Sequence, residues 1–95
     1  MSAAAFRPCC VVPIYDHGAT IRALVASLAA HGLPIYIVDD GSGEATQAGL
    51  ARVRGEFPQV RLSRLPQNSG KGAAVMHGML QARAEGMTHA SRCRG

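Results

Sequence analysis

Tryptophan is absent from this 95-residue sequence, and aromatic residues make up only 4% of it. Proteins that bind nucleic acids usually cluster basic residues on one face, often beside aromatic side chains that stack on bases. The ten lysine and arginine residues here are scattered along the chain, against six acidic residues. We therefore expect no nucleic-acid partner, and the net charge of +4 indicates a solvated surface.

Long apolar runs and a cysteine framework are also missing. No stretch approaches 18 apolar residues and the N-terminus has no signal-peptide pattern, so neither a membrane span nor secretion is expected. Three cysteines, Cys9, Cys10 and Cys93, show no disulfide or zinc-site spacing, which favours reduced thiols and a cytoplasmic location. The hydrophobic fraction of 47% is enough for one small domain with a single core.

Short apolar runs alternate with helical patterns along the chain. The runs at residues 9–12 and 35–38 predict strands buried on both faces, and the alternation at 60–65 predicts a half-buried strand. Helices are predicted over residues 18–31, 44–54 and 72–84. The order is that of an α/β fold in which three parallel strands alternate with three helices on the faces of the sheet.

Polar loops follow each predicted strand, at residues 13–18, 39–42 and 68–72. Ligands of open parallel sheets bind beyond the carboxyl ends of the strands, so the three loops are expected to converge on one rim. Asp39 and Asp40 are adjacent, and strand alternation predicts that at most one points into the site while the other braces the loop. Lys71, at the start of a helix between two glycines, suits a diphosphate.

Three common nucleotide chemistries are disfavoured by missing residues. No G-x-G-x-x-G follows the first strand, which argues against a dinucleotide site. Gly70 and Lys71 resemble the end of a P-loop, but Gly72 stands where a magnesium-binding Ser or Thr belongs. The third strand ends without the acidic residue that a phosphate-accepting receiver domain would need.

Three motifs occur in a specific order: V-V-P-I-Y-D-H-G at 11–18, I-V-D-D-G-S at 37–42 and N-S-G-K-G-A-A at 68–74. Together they resemble the opening half of a family 2 glycosyltransferase of the GT-A fold, over about residues 9–90. The resemblance implies a three-layer, Rossmann-like domain and transfer of a sugar from a nucleotide-diphosphate-sugar donor. It also implies that six residues bind the donor. Pro13, Tyr15 and Asp16 would line the base and ribose pocket, Asp39 and Asp40 would form the nucleotide-binding acidic pair, and Lys71 would lie near the diphosphate.

The resemblance ends near the C-terminus. The family continues with a fourth strand that ends in a D-x-D metal motif, and its catalytic base lies further on. Here residues 88–90 begin such a strand, an atypical tail follows at 91–95, and no Asp occurs after Asp40. We therefore expect residues 1–95 to form a single incomplete donor-binding domain, with no metal site and no catalytic residue of its own.

Further expectations concern activity, metal binding, association, location and the alternative function. The isolated chain should be inactive, and a Mg or Mn ion is expected only in a full-length family member. With no fourth strand, the first strand would lie unpaired at a sheet edge, which makes the chain association-prone and lets the amides of that strand exchange quickly. The membrane periphery is left open as a location for a full-length form. The alternative function is a non-catalytic binding or interaction module, or a degraded remnant of the same fold.

Overall fold

Strands and helices alternate strictly along the chain in the computed structural model, which describes residues 6–16 and 21–93. The elements are β1 (Pro8–Ile14), α1 (Ile21–Ala29), β2 (Ile35–Asp39), α2 (Glu44–Glu56), β3 (Val60–Arg64), α3 (Lys71–Ala84) and β4 (His89–Arg92). The strands form one parallel sheet in the order β3-β2-β1-β4. The predicted α/β architecture is confirmed, although residues 18–20 of the first predicted helix lie outside the described residues.

A fourth strand corrects the predicted count of three. Ser91 and Arg92, assigned to an atypical tail, belong to β4 and pair with Cys10 and Val11 of β1. The amide of Cys93 continues the ladder by donating to the carbonyl oxygen of Val11, at 2.8 Å. The expectation that β1 lies unpaired at an edge was therefore wrong, because strand pairing uses backbone groups that polar residues supply equally well.

The correction changes two related expectations. Fast exchange of the β1 amides is no longer expected, since β1 is paired on both sides by β2 and β4. Association of the chain stays a prediction, but its proposed origin in the β1 edge is removed. The last two residues of the predicted tail, at 94–95, lie outside the described residues.

Side-chain alternation divides the sheet between two apolar clusters. The larger cluster packs α1 and α2 on one face of the sheet and includes Val12, Ile14, Ile21, Val25, Ile35, Ile37, Leu50 and Val53. The smaller cluster lies beneath α3 and includes Cys9, Val11, Tyr36 and Ala82. Helices therefore cover both faces, which is the predicted three-layer arrangement.

Helix α3 approaches the sheet through a row of small residues. Ala74, Gly78 and Ala82 are its buried positions, spaced four residues apart on one side of the helix. A Cβ atom added at Gly78 would lie 2.5 Å from Cγ1 of Val11 and 3.0 Å from Cγ2 of Val38. Glycine at this position therefore allows the helix to contact β1 and β2 directly.

The Gly78→Ala variant should be destabilised by overpacking, by about 1–3 kcal/mol in the free energy of unfolding. Gly49→Ala is the matched control, because Gly49 lies within α2 and a Cβ there meets nothing within 4 Å. The control should be stabilised by roughly 0.5–1 kcal/mol, since alanine favours a helix interior over glycine. Denaturant titration of both variants measures the two changes, and equal effects would contradict the close approach.

A hydrogen bond also ties the sheet to the segment after α3. The hydroxyl of Tyr36 donates to Oε1 of Glu85 at 2.9 Å, and Nε of Arg61 lies 3.5 Å from the same oxygen. Burial raises the pKa of Tyr36 to about 12, and the bond to Glu85 adds to the rise. That bond in turn lowers the pKa of Glu85.

Stability should fall as the pH rises from the ordinary tyrosine pKa of about 10 towards 12, because the folded state holds the Tyr36 proton more tightly than the unfolded chain does. Burial also raises the pKa of the Cys9 and Cys10 thiols, so the useful quantity is the difference between variants. In the wild type, the free energy of unfolding should fall by on the order of 2 kcal/mol as the pH rises. The Tyr36→Phe variant should not show this fall, whereas the Tyr15→Phe variant should. Denaturant titration at pH 8 to 11.5 tests this, and parallel losses in both variants would contradict it.

Candidate functional site

The loop after β1 is joined to the loop after β2 by two hydrogen bonds. The amide of Asp16 donates to Oγ of Ser42 at 2.8 Å, and the amide of Gly43 donates to Oδ1 of Asp16 at 2.9 Å. Asp16 has a φ of 52°, an unusual value that aspartate tolerates better than most residues. The two loops therefore hold each other in a defined position.

Asp40 joins the loop after β2 to the segment that enters α3. Its Oδ1 accepts from the amide of Ser69 at 2.7 Å and its Oδ2 from the amide of Gly70 at 3.0 Å. Gly41 allows the two segments to touch, because it has a φ of 83° and a Cβ there would lie 2.6 Å from the amide nitrogen of Asn68. The predicted convergence of three loops on one rim is confirmed by these contacts.

Asp39 is also buried, with 2% of its surface exposed. Its Oδ1 accepts from the amide of Ser42 at 2.9 Å, and its Oδ2 lies 4.0 Å from Nε of Arg64. Both aspartates therefore brace the rim, whereas alternation predicted that only one would. The reason is that Asp40 follows the last residue of β2, so strand alternation no longer sets its direction, and a buried carboxylate requires donors.

The two aspartates differ in how many of their carboxylate oxygens accept a hydrogen bond. Both carboxylate oxygens of Asp40 accept backbone N–H groups. Oδ2 of Asp39 accepts no hydrogen bond from any described residue, since Arg64 is too distant for one. Within the acidic pair, Oδ2 of Asp39 is therefore the oxygen that accepts no hydrogen bond from a described residue.

The remaining predicted site residues lie on the same three segments. Pro13 is half-buried in β1 opposite Val38, while Tyr15 and Asp16 are exposed beyond the strand end. Lys71 is exposed as the first residue of α3, and no described side chain caps that helix. The amide groups of the first turn of α3 thus remain for an anion. The ligand roles of all six residues stay predictions.

Two residues at this rim were missed by the sequence analysis. Nε2 of Gln47 donates to the carbonyl oxygen of Ser42 at 2.7 Å, and Nη1 of Arg64 donates to Oε1 of Gln47 at 2.7 Å. Neither residue belongs to a recognisable motif. The position of Arg64 at the carboxyl end of β3 was the one signal in the sequence that pointed to this rim.

The described residues do not fit a divalent metal. No three His, Cys, Asp or Glu side chains within residues 6–16 and 21–93 lie close enough to share an ion. Hard cations require several oxygen ligands, and the buried acidic pair already accepts backbone hydrogen bonds. In the same part of the chain, no helix has the length and apolarity to cross a membrane.

The acidic rim lies at the carboxyl ends of the parallel strands, where open α/β sheets bind their ligands. Residues 9–88 match the family described as Glycosyl transferase family 2. The chain belongs to this family, as the three motifs predicted.

Sequence relatives cover about half of the chain. It is 43% identical over 51 residues to the dolichyl-phosphate beta-glucosyltransferase ALG5C of Trichomonas vaginalis, and 41% identical over 51 residues to ALG5A of the same organism. The match covers 54% of this chain in both cases, and 15% and 16% of the two relatives. The chain therefore matches only a small part of the length of these curated relatives.

A solved structure shares the fold. The mannosyltransferase PcManGT from Pyrobaculum calidifontis, in complex with GDP-Man and Mn2+, superposes with a TM-score of 0.70 at 19% identity. The match covers 86% of this chain and 26% of that protein. The GT-A-like, Rossmann-like topology is thereby confirmed.

Replacing Asp40 by Asn should loosen the rim, because the amide group presents one acceptor and one donor to two backbone N–H groups. The expected loss is about 1–3 kcal/mol in the free energy of unfolding, with faster hydrogen exchange at the amides of Ser69 and Gly70. Asp16→Asn is the control, since its exposed side chain keeps an acceptor for the single amide of Gly43. Unchanged exchange at both amides in Asp40→Asn would contradict the bracing role.

Proposed function

We propose that this chain binds the nucleotide-diphosphate portion of a nucleotide-sugar donor, as the donor-binding part of a glycosyltransferase. The observation that carries the proposal is the joining of three strand-end loops by Asp16, Ser42 and Asp40. This joining creates one polar rim at the position where parallel sheets bind ligands. Membership of glycosyl transferase family 2 supports the same function.

The base and ribose are assigned to the side of the rim formed by β1 and β2. Tyr15 offers an exposed ring beside the strand end, and Pro13 offers a rigid, half-buried surface in β1. Oδ2 of Asp39 accepts no bond from a described residue, so it is available to a base N–H or a ribose hydroxyl. Asp16 lies at the junction of the two loops and completes this side.

The diphosphate is assigned to the start of α3. The ammonium of Lys71 is exposed there, and the first-turn amides together with the helix dipole attract negative charge. Asp40 holds the preceding amides of Ser69 and Gly70, which fixes the direction in which the helix begins. A phosphate group would therefore meet a positive surface that is already ordered.

Sugar transfer is proposed for a larger protein that contains this domain, and not for the chain alone. The relatives are named as dolichyl-phosphate glucosyltransferases, and the structural neighbour holds GDP-Man and Mn2+. The described residues offer no cluster of three His, Cys, Asp or Glu side chains that could hold a metal ion. We infer that this chain binds donor without turnover, and its cytoplasmic location remains a prediction.

The alternative is a non-catalytic interaction module or a remnant of the same fold. It differs from the proposal in one measurable respect, since it requires no affinity for a nucleoside diphosphate. Saturable binding of UDP or GDP, measured by calorimetry or NMR, favours the proposed function. Absence of saturable binding to the folded chain favours the alternative.

The Lys71→Ala variant should bind UDP or GDP more weakly by about 1–3 kcal/mol, because a charge-assisted contact to phosphate is lost. Binding of the parent nucleoside, which has no phosphate, should change little. Arg83→Ala is the matched control, because Arg83 is an exposed cation in the last turn of the same helix. Equal losses for nucleoside and diphosphate would remove Lys71 from the phosphate role.

A further inference from the structure

We propose that Gln47 and Arg64 are positioning residues of this site, which hold Ser42 and the carboxylate of Asp39 in the geometry that receives the nucleoside. This inference rests on the proposed donor-binding function. Neither residue lies in the motifs by which the family was identified.

Gln47 bridges α2 and β3 to the loop that precedes α2. Its Nε2 donates to the carbonyl oxygen of Ser42 at 2.7 Å, and its Oε1 accepts from Nη1 of Arg64 at 2.7 Å. The side-chain amide of Gln47 thus donates to Ser42 and accepts from Arg64, and these two bonds fix the orientation of the amide group. Gln47 is half-buried, so water competes only partly for these bonds.

Arg64 connects this bridge to the buried carboxylate of Asp39. The two residues are directly paired in the β2–β3 ladder, so their side chains leave the sheet on the same face. Nε of Arg64 lies 4.0 Å from Oδ2 of Asp39, while Nη1 is held by Gln47. The guanidinium group therefore places a positive charge beside the one oxygen of the Asp39–Asp40 pair that accepts no hydrogen bond from a described residue.

Ser42 is the point on which these contacts act. Its amide donates to Asp39, its hydroxyl accepts from Asp16, and its carbonyl oxygen accepts from Gln47. Loss of the Gln47 bridge frees the carbonyl, and the position of Ser42 then depends on the two remaining bonds. The loop after β1, which carries Tyr15 and Asp16, would shift with Ser42 because the two loops are bonded together.

The diphosphate half of the rim is fixed by different contacts. Asp40 holds Ser69 and Gly70 directly, and within the described residues neither Gln47 nor Arg64 forms a hydrogen bond with the start of α3. Loss of Gln47 or Arg64 should therefore weaken recognition of the nucleoside and leave recognition of phosphate intact. This is the reverse of the effect expected for Lys71.

The test uses the whole chain and four variants: Gln47→Ala, Gln47→Glu, Arg64→Ala and the Gln47→Ala/Arg64→Ala double variant. Each is titrated by NMR with UDP, GDP and inorganic pyrophosphate, and each thermal melt is recorded. We expect about tenfold weaker binding of the preferred nucleoside diphosphate with unchanged affinity for pyrophosphate. The double variant should lose no more than Arg64→Ala alone, since Arg64→Ala removes both the bond that holds Gln47 and the charge beside Asp39.

Two controls test whether the effect comes from the loss of a positive charge and whether it depends on the bond to Ser42. Arg52→Ala removes an exposed arginine of α2 and should leave every affinity unchanged. Gln47→Glu keeps an acceptor for Arg64 but loses the donor to the carbonyl of Ser42, so it should behave like Gln47→Ala. Recovery of full affinity in Gln47→Glu would overturn the bridge to Ser42 as the cause.

Three further results would overturn the proposal. The first is that the wild type and the variants bind UDP and GDP with the same affinity. This result would remove the positioning role and leave the donor-binding function intact. Another is a parallel loss of pyrophosphate affinity and melting temperature, which assigns both residues a general structural role. The third is absence of nucleoside diphosphate binding by the folded wild type, which removes the donor-binding function and the positioning role together.

Discussion

The pair of hydrogen bonds from Ser69 and Gly70 to the buried carboxylate of Asp40 is the interaction on which the rest of the structure depends. It connects the end of the central strand β2 to the start of α3, across a contact so close that Gly41 has no space for a side chain. From that start, α3 crosses the second face of the sheet and packs through Gly78 on β1 and β2. The chain can then return as β4 beside β1.

At the rim, some polar groups are bonded to the backbone and others have no hydrogen bond from a described residue. Each carboxylate oxygen of Asp40 accepts a backbone amide, and Asp39 uses one of its oxygens in the same way. The groups available to a ligand are the remaining oxygen of Asp39, the exposed Tyr15, and the cationic start of α3 at Lys71. In the proposed donor site, the nucleoside and the phosphates would be held by separate sets of contacts, so the two affinities should be separable by mutation.

The sequence predicted the alternation of elements well, because apolar runs, glycines and prolines report local structure and burial. It failed at β4, since His89, Ala90, Ser91 and Arg92 carry no apolar pattern and their pairing uses backbone groups. The site motifs located the correct loops, but the direction of Asp40 and the bridge through Gln47 depend on tertiary contacts between segments distant in the chain. Such contacts leave no periodicity in the sequence.

Mapping of amide chemical-shift changes during titration with UDP and GDP tests the central claim most directly. The account predicts saturable changes centred on Asp16, Ser42, Gly43, Gly70 and Lys71, at the carboxyl ends of the strands. An open cavity of about 360 Å³ lies at the opposite ends of β1 and β2, lined by Arg7, Pro8, His31 and Pro34 among others. Changes centred on that cavity, or no saturable change in the folded chain, would contradict donor binding at the rim formed by the three strand-end loops.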